Sequence, residues 1–230
     1  ESTGDVVFCT TEDLKNDALA GIRILRERFD NVGVLGHSEG GTIALMLAAE
    51  KQVDFAISLA GMIVSGAETL LAQNRQACQA VGLPESEVDA YCRLLSGTFE
   101  AVKTKSPLPS VDNYDLSEAL RQNYVQVLNQ LQSPYMKYFI GLDMSGSLAG
   151  ITCPVMALNG TKDTQVQSER NLDVLRSGLP SGDKNLIKAE TGLNHLFQHC
   201  ATGAFSEYKE IEETISPEVL SEMITWIKAL

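Results

Sequence analysis

Four short apolar runs, each separated from the next by a stretch patterned as helix, constrain this chain more than any other feature. They are residues 31–35 (NVGVL), 53–60 (VDFAISLA), 153–158 (CPVMAL) and, more weakly, 184–189 (KNLIKA). Short runs with little polar alternation are what strands buried on both faces look like. Helical spacing fills the gaps between them. Over 10–29, Leu14, Ala18, Ile22, Leu25 and Phe29 recur every three or four residues behind Thr10 and Asp13, which stand as a capping box does. Residues 40–50 read as a small-residue helix able to pack closely on a sheet, and 165–179 as a further helix. A last helix opens at Ser216 and Pro217, with Leu220, Met223, Ile227 and Leu230 on one face. Strands alternating with helices predict an α/β architecture with a mostly parallel sheet.

One interval breaks the alternation. Residues 62–151 carry almost no strand signal but several helical stretches, among them 114–131 with its stripe of Leu116, Leu120, Tyr124, Val127 and Leu131. Ordinary connections run about 4–6 residues, so this interval is expected to be a helical cap inserted between strands. The predicted organisation is a core part over 1–61, a cap over 62–151 and a second core part over 152–230. In the cap, Tyr135, Tyr138 and Phe139, with Met136 beside them, are candidates for the wall of a substrate pocket; the plainer reading of such a cluster is packing inside the cap.

The chemistry concentrates at Gly36-His37-Ser38-Glu39-Gly40, a G-x-S-x-G string that follows an apolar run and precedes a helix. The string alone arises often by chance. Its placement suits a sharp strand-to-helix turn that lifts a serine hydroxyl above a sheet edge, with Gly41 letting the helix begin close to the sheet. A serine needs a base, and the chain has three histidines, His37, His195 and His199. His37 adjoins Ser38 and reads as structural, its side chain expected to point elsewhere. His195, in G-L-N-H directly after the fourth run, can reach a serine at the sheet's carboxyl edge; His199 could pair with it around a metal, but no H-E-x-x-H pattern or acidic partner supports that. The base in turn needs an acid, and Asp163 in N-G-T-K-D follows the third run, where the competing reading is a helix cap. The order Ser38, Asp163, His195 is what brings the three together as a triad. The backbone N–H of Glu39, at the head of the helix, is the expected first oxyanion donor.

Charge excludes partners more than it names them. A net charge of -12 and a pI near 4.7 repel phosphate backbones and anionic lipid surfaces, so nucleic acid is not an expected partner. No run approaches the roughly 20 apolar residues of a membrane span. Cys9, Cys78, Cys92, Cys153 and Cys200 form no C-x-x-C pair; Cys78 and Cys92 fall in neighbouring helical stretches, where they are either structural thiols or a bridge formed in an oxidising compartment. No metal or other cofactor is signalled. The chain opens on Glu1 without the pattern of a signal peptide, which leaves the compartment open and suggests a chain cut at its front.

With Ser2-Thr3-Gly4, residues 36–41, 153–166, 192–198, and the stretch from Glu207-Tyr208 to Trp226, the sequence resembles bacterial α/β-hydrolases of the esterase and dienelactone-hydrolase-like group. The resemblance runs over essentially the whole chain. It implies the α/β-hydrolase fold, a triad of Ser38, Asp163 and His195, and a small-molecule carboxylic ester as substrate, in a bacterial protein of the cytoplasm or periplasm. It also implies that roughly half of the family's sheet and the second oxyanion donor precede the turn at which this sequence begins. The 31–35 strand is therefore expected to be covered by a complementing N-terminal segment or by another copy of the chain in a homodimer. A peptidase and a thioesterase use the same triad, and an inactive fragment with half an oxyanion hole would keep it too.

Overall fold

The computed structural model describes residues 8–230, so Ser2, Thr3 and Gly4 lie outside the described residues. In chain order the elements are α1 (Thr11–Arg26), β1 (Gly33–His37), α2 (Glu39–Ala49), β2 (Phe55–Leu59), α3 (Gly66–Ala80), α4 (Glu85–Thr104), α5 (Glu118–Gln130), α6 (Pro134–Phe139), β3 (Val155–Gly160), α7 (Ser168–Gly178), β4 (Leu186–Glu190) and α8 (Pro217–Lys228). They gather into two compact units, Leu14–Val64 with Asp143–Leu230, and Ser65–Leu142 with the described residues before Leu14.

The first unit is built on a sheet of order β1-β2-β3-β4 in which every neighbouring pair is parallel. Its two faces follow from strand alternation. Phe55, Ile57 and Leu59 of β2 share a face with Met156 and Leu158 of β3, and Val219 and Met223 of α8 pack into the same cluster. Ala56 and Ser58 point the other way, toward α2, whose Gly41 lies so close that a Cβ there would come within 2.9 Å of Ser58 Oγ. This close seat explains the small-residue composition of α2, in which Gly41 to Ala48 are all buried. Ala157 and Asn159 of β3 share a small cavity with Leu172 and Leu175 of α7 on that same face.

All four expected strands form; β1 and β3 lie two residues further along the chain than expected and β4 one to two, while β2 is shortened at both ends. At the N-terminal side the shift has a visible cause. The Asp54 carboxylate accepts from Val32 N at 2.7 Å and pairs with Arg26 at 2.6 Å, which holds 31–32 and 53–54 outside the ladder. At the other side the ladder continues through His37, Gly160 and Glu190, residues that an apolar pattern does not include.

Two helices expose faces other than those expected. The buried positions of α1 are Thr11, Lys15, Leu19 and Ile22, while Leu25 and Phe29 are exposed. Lys15 takes an apolar residue's place because its ammonium pairs with Glu50 at 2.5 Å. On α8, Val219 and Met223 are buried, and Leu220, Ile227 and Leu230 are not. In β1, at one end of the described sheet, Leu35 is 52% exposed.

The helical unit has its own core. Leu116, Leu120, Tyr124 and Leu131 are buried, as the stripe on α5 predicts, against Val88, Tyr91, Leu94, Leu95 and Phe99 of α4. Among the described residues no helix is long and apolar enough to cross a membrane.

Candidate active site

Ser38 sits between β1 and α2 with φ 56° and ψ −122°, a backbone conformation that L-residues rarely adopt. Such strain costs about 1–3 kcal/mol and persists only where the surroundings enforce it. Here they do so by anchoring both sides of the turn. Ser38 N donates to Leu59 O at 2.8 Å, extending the β1–β2 ladder, and Ser38 O accepts from Gly41 N at 2.9 Å as α2 begins. Of the two glycines in the string, Gly36 is the one that geometry requires. A Cβ on it would lie 1.9 Å from the Gly40 carbonyl oxygen, whereas a Cβ on Gly40 would meet nothing within 4 Å. Glu39 is the first residue of α2. Its N–H stands at the positive end of the helix dipole, where an anion is stabilised.

Asp163 and His195 come from the loops after β3 and β4, and these loops continue the strand pairing beyond the sheet. Thr161 N donates to Glu190 O and Lys162 N to Leu193 O, both at 2.9 Å, while Gly192 N donates to Thr161 Oγ1 at 2.9 Å. The result is a short contact between the two side chains, His195 Nδ1 to Asp163 Oδ2 at 2.7 Å, with both side chains almost fully buried. The other oxygen, Oδ1, accepts from Gln165 N at 2.8 Å and Val166 N at 2.9 Å. These two bonds frame the loop before α7, whose N-cap is Gln167, so Asp163 does not cap that helix and its second oxygen is left to His195. With Nδ1–H given to the carboxylate, Nε2 of His195 is the nitrogen left to act as base.

Among the described residues no hydrogen bond joins Ser38 to His195. What ties them together is His37, next to Ser38 in the chain. Its Nε2 lies 2.7 Å from His195 O, and the two imidazole rings are 4.7 Å apart at 52°. The bond of this side chain is to main chain, in the loop that carries His195. Burial pushes the His37 pKa below its ordinary value, against the backbone bond to His195, which raises it.

Sequence reading also missed Asn194. It is fully buried, its Oδ1 accepts from Leu196 N at 2.9 Å and Gln198 N at 3.0 Å, and its Nδ2 donates to Gln198 Oε1 at 2.9 Å. Phe197, in the same loop, is held at φ 60°. The only available signal was the asparagine beside the histidine in G-L-N-H, a residue type that frames tight loops through its side chain.

His199 is exposed and faces Glu213, with Nδ1 3.0 Å from Oε2. Among the described residues no group of three His, Cys, Asp or Glu is arranged to hold a metal ion. Tyr135, Tyr138 and Phe139 belong to the helical unit, where Tyr135 and Phe139 stack at 5.8 Å and Tyr138 OH bonds Glu12 Oε2 at 3.1 Å. All five cysteines are free thiols, Cys78 and Cys92 included.

The parallel sheet thus carries Ser38 at the turn after β1 and the Asp163–His195 pair in the loops after β3 and β4. The family described as BAAT / Acyl-CoA thioester hydrolase C terminal matches residues 26–189. The chain belongs to this family. It is therefore a hydrolase-family protein; the matched stretch takes in Ser38 and Asp163 and stops short of His195. Among solved structures, Rv0554 of Mycobacterium tuberculosis aligns with a TM-score of 0.51 and 16% identity over 96% of this chain and 73% of its own. BpoC of the same organism, assigned as a non-heme bromoperoxidase, aligns with a TM-score of 0.50 and 15% identity over 96% and 75%. The Pyrococcus furiosus esterase Pf2001 gives a TM-score of 0.48 and 14% identity over 93% of this chain, which spans 60% of the esterase's length. The fold is the α/β-hydrolase fold. No curated protein matches the chain in sequence.

Proposed function

We propose that this chain is a serine hydrolase that opens carboxylic esters through an acyl-enzyme on Ser38. The observation that carries this reading is the buried 2.7 Å contact between His195 and Asp163 at the sheet edge where Ser38 occupies a strained turn. Ser38 Oγ attacks the carbonyl carbon while His195 Nε2 takes its proton, and Asp163 stabilises the imidazolium that forms. The carbonyl oxygen becomes an oxyanion facing the Glu39 N–H. The intermediate collapses as His195 returns the proton to the departing alcohol, leaving the acyl group on Oγ. Water then repeats the sequence with His195 as base, and the acid is released.

A second reading, hydrolysis of an acyl thioester, is favoured by the family match over 26–189. The steps are the same with a thiol leaving, and a triad that displaces an alkoxide also displaces the less basic thiolate. Intact-mass measurement after a fluorophosphonate probe tests the shared part. One adduct on the chain and none on Ser38→Ala is the expected result; an adduct that survives the substitution overturns the assignment. Hydrolysis of 4-nitrophenyl butyrate and butyryl-CoA, measured side by side, separates the two leaving groups. A kcat/KM ratio of about a hundredfold or more toward the thioester would replace the ester reading with the second one.

A further inference from the structure

We propose that His37 is a positioning residue, and that its Nε2–H, donated to the carbonyl oxygen of His195, holds the base in register with the nucleophile. This inference rests on the serine-hydrolase reading and adds a residue to its machinery. One hydrogen bond at Nδ1 fixes the tautomer of His195 but leaves the ring free to swing about that bond, and a swing of about 1 Å at Nε2 costs on the order of a hundredfold in rate. The main chain at 195 must therefore be held as well.

Inside its own loop it is braced by Asn194, and by Ser216 N, which donates to Phe197 O at 2.8 Å. Those contacts fix the loop to itself and to the start of α8. The contact between His37 and His195 is different in kind, because it spans 158 residues and starts from the residue adjoining Ser38. Any displacement of the turn is passed to the base through it. His37 is paired with Leu59 in the ladder, and its ring is flanked by the rings of His195 at 4.7 Å and Phe197 at 6.3 Å. A carbonyl oxygen can only accept, so Nε2 must carry the proton. Glutamine places an amide N–H near the position of Nε2 and can replace it; leucine and phenylalanine fill the space and cannot.

The test uses the full chain and two readouts. In the unmodified protein at about pH 8, above the ordinary imidazole range, long-range 1H–15N spectra are expected to show His37 as the Nε2–H tautomer; an Nδ1–H tautomer overturns the proposal without any variant. The rate of fluorophosphonate labelling at Ser38 is then compared across variants. His37→Leu and His37→Phe are expected to label at least about tenfold more slowly, the worth of one well-placed hydrogen bond, while His37→Gln stays within about threefold of the parent. A donor-less variant that labels as fast as the parent, or a folded His37→Gln as slow as His37→Leu, overturns it. Failure of the underlying reading has another signature, since the parent itself would then not label, and the tautomer measurement still decides the hydrogen bond.

Discussion

The helical unit and the carboxyl edge of the sheet both bury polar side chains, yet their backbones differ. In the helical unit Tyr91 OH bonds Asn123, and Thr98 Oγ1 bonds Tyr124 OH at 2.8 Å and Leu94 O at 2.8 Å, all on regular helices. Its non-glycine residue at positive φ is Lys105, which ends α4 in the left-handed conformation usual for a helix end. At the carboxyl ends of the strands three such residues occur, Ser38 after β1, Ala60 after β2 and Phe197 in the loop that carries His195. Unpartnered buried polar atoms do not separate the two regions, since Thr69 Oγ1 is one and Asn159 Oδ1 is another. Backbone strain does. A polar network that serves stability can relax into ordinary geometry, whereas one that aims a nucleophile and a base must hold unfavourable angles, and the ladder and helix around it enforce them.

The sharpest way to break this contrast is Asp163→Asn. The amide oxygen can keep the two backbone bonds that Oδ1 now accepts, so the fold should survive, while the wrong His195 tautomer lowers kcat by about ten-thousandfold. Steady-state kinetics beside a thermal melt check it, and a comparable loss in both would erase the distinction. Next is the pair Gly36→Ala and Gly40→Ala. The first forces a methyl to within 1.9 Å of a carbonyl oxygen and should cost about 3 kcal/mol or more, whereas the second meets open space and should change stability by under about 1 kcal/mol. Urea denaturation distinguishes them.

From the helical side, Tyr91→Phe removes the bond to Asn123, which is exposed and can turn to water, and should cost about 1 kcal/mol, with labelling of Ser38 at the parental rate. A slowed rate would show that this network also serves the site.

The smallest effect concerns Glu190, whose carboxyl is pushed up by burial and then by Glu222, while Lys188 pulls it down. A group whose folded pKa is raised stabilises the fold most at low pH, and that contribution is lost as pH rises through the folded value. Glu190→Gln should therefore raise stability near pH 8 and leave it unchanged near pH 4. Melts at the two pH values read the sign directly, and a stabilisation confined to the acid side would contradict it.

Much of the architecture could be read from sequence because its causes are local. Four apolar runs became four parallel strands, and the glycine before Ser38 marked a turn that only a residue without a Cβ can make. The strand ends were harder to see, because the ladder runs on into His37, Gly160 and Glu190, where polar chemistry replaces the apolar pattern. The buried faces of α1 and α8 were read one step round the helix from where they lie. An ion pair to Glu50 lets Lys15 occupy an inner position, and no spacing rule anticipates a partner 35 residues away.

The order of serine, acid and histidine, the class of fold and the helical interval are thus properties of the sequence itself, since each depends on neighbours within a few residues or on simple succession along the chain. Which oxygen of Asp163 meets His195, how Asn194 frames the base and where His37 points were decided only when strands distant in the chain were laid side by side. Hydrogen bonds act over about 3 Å in space, and separation along the sequence carries no record of that distance until the sheet is formed.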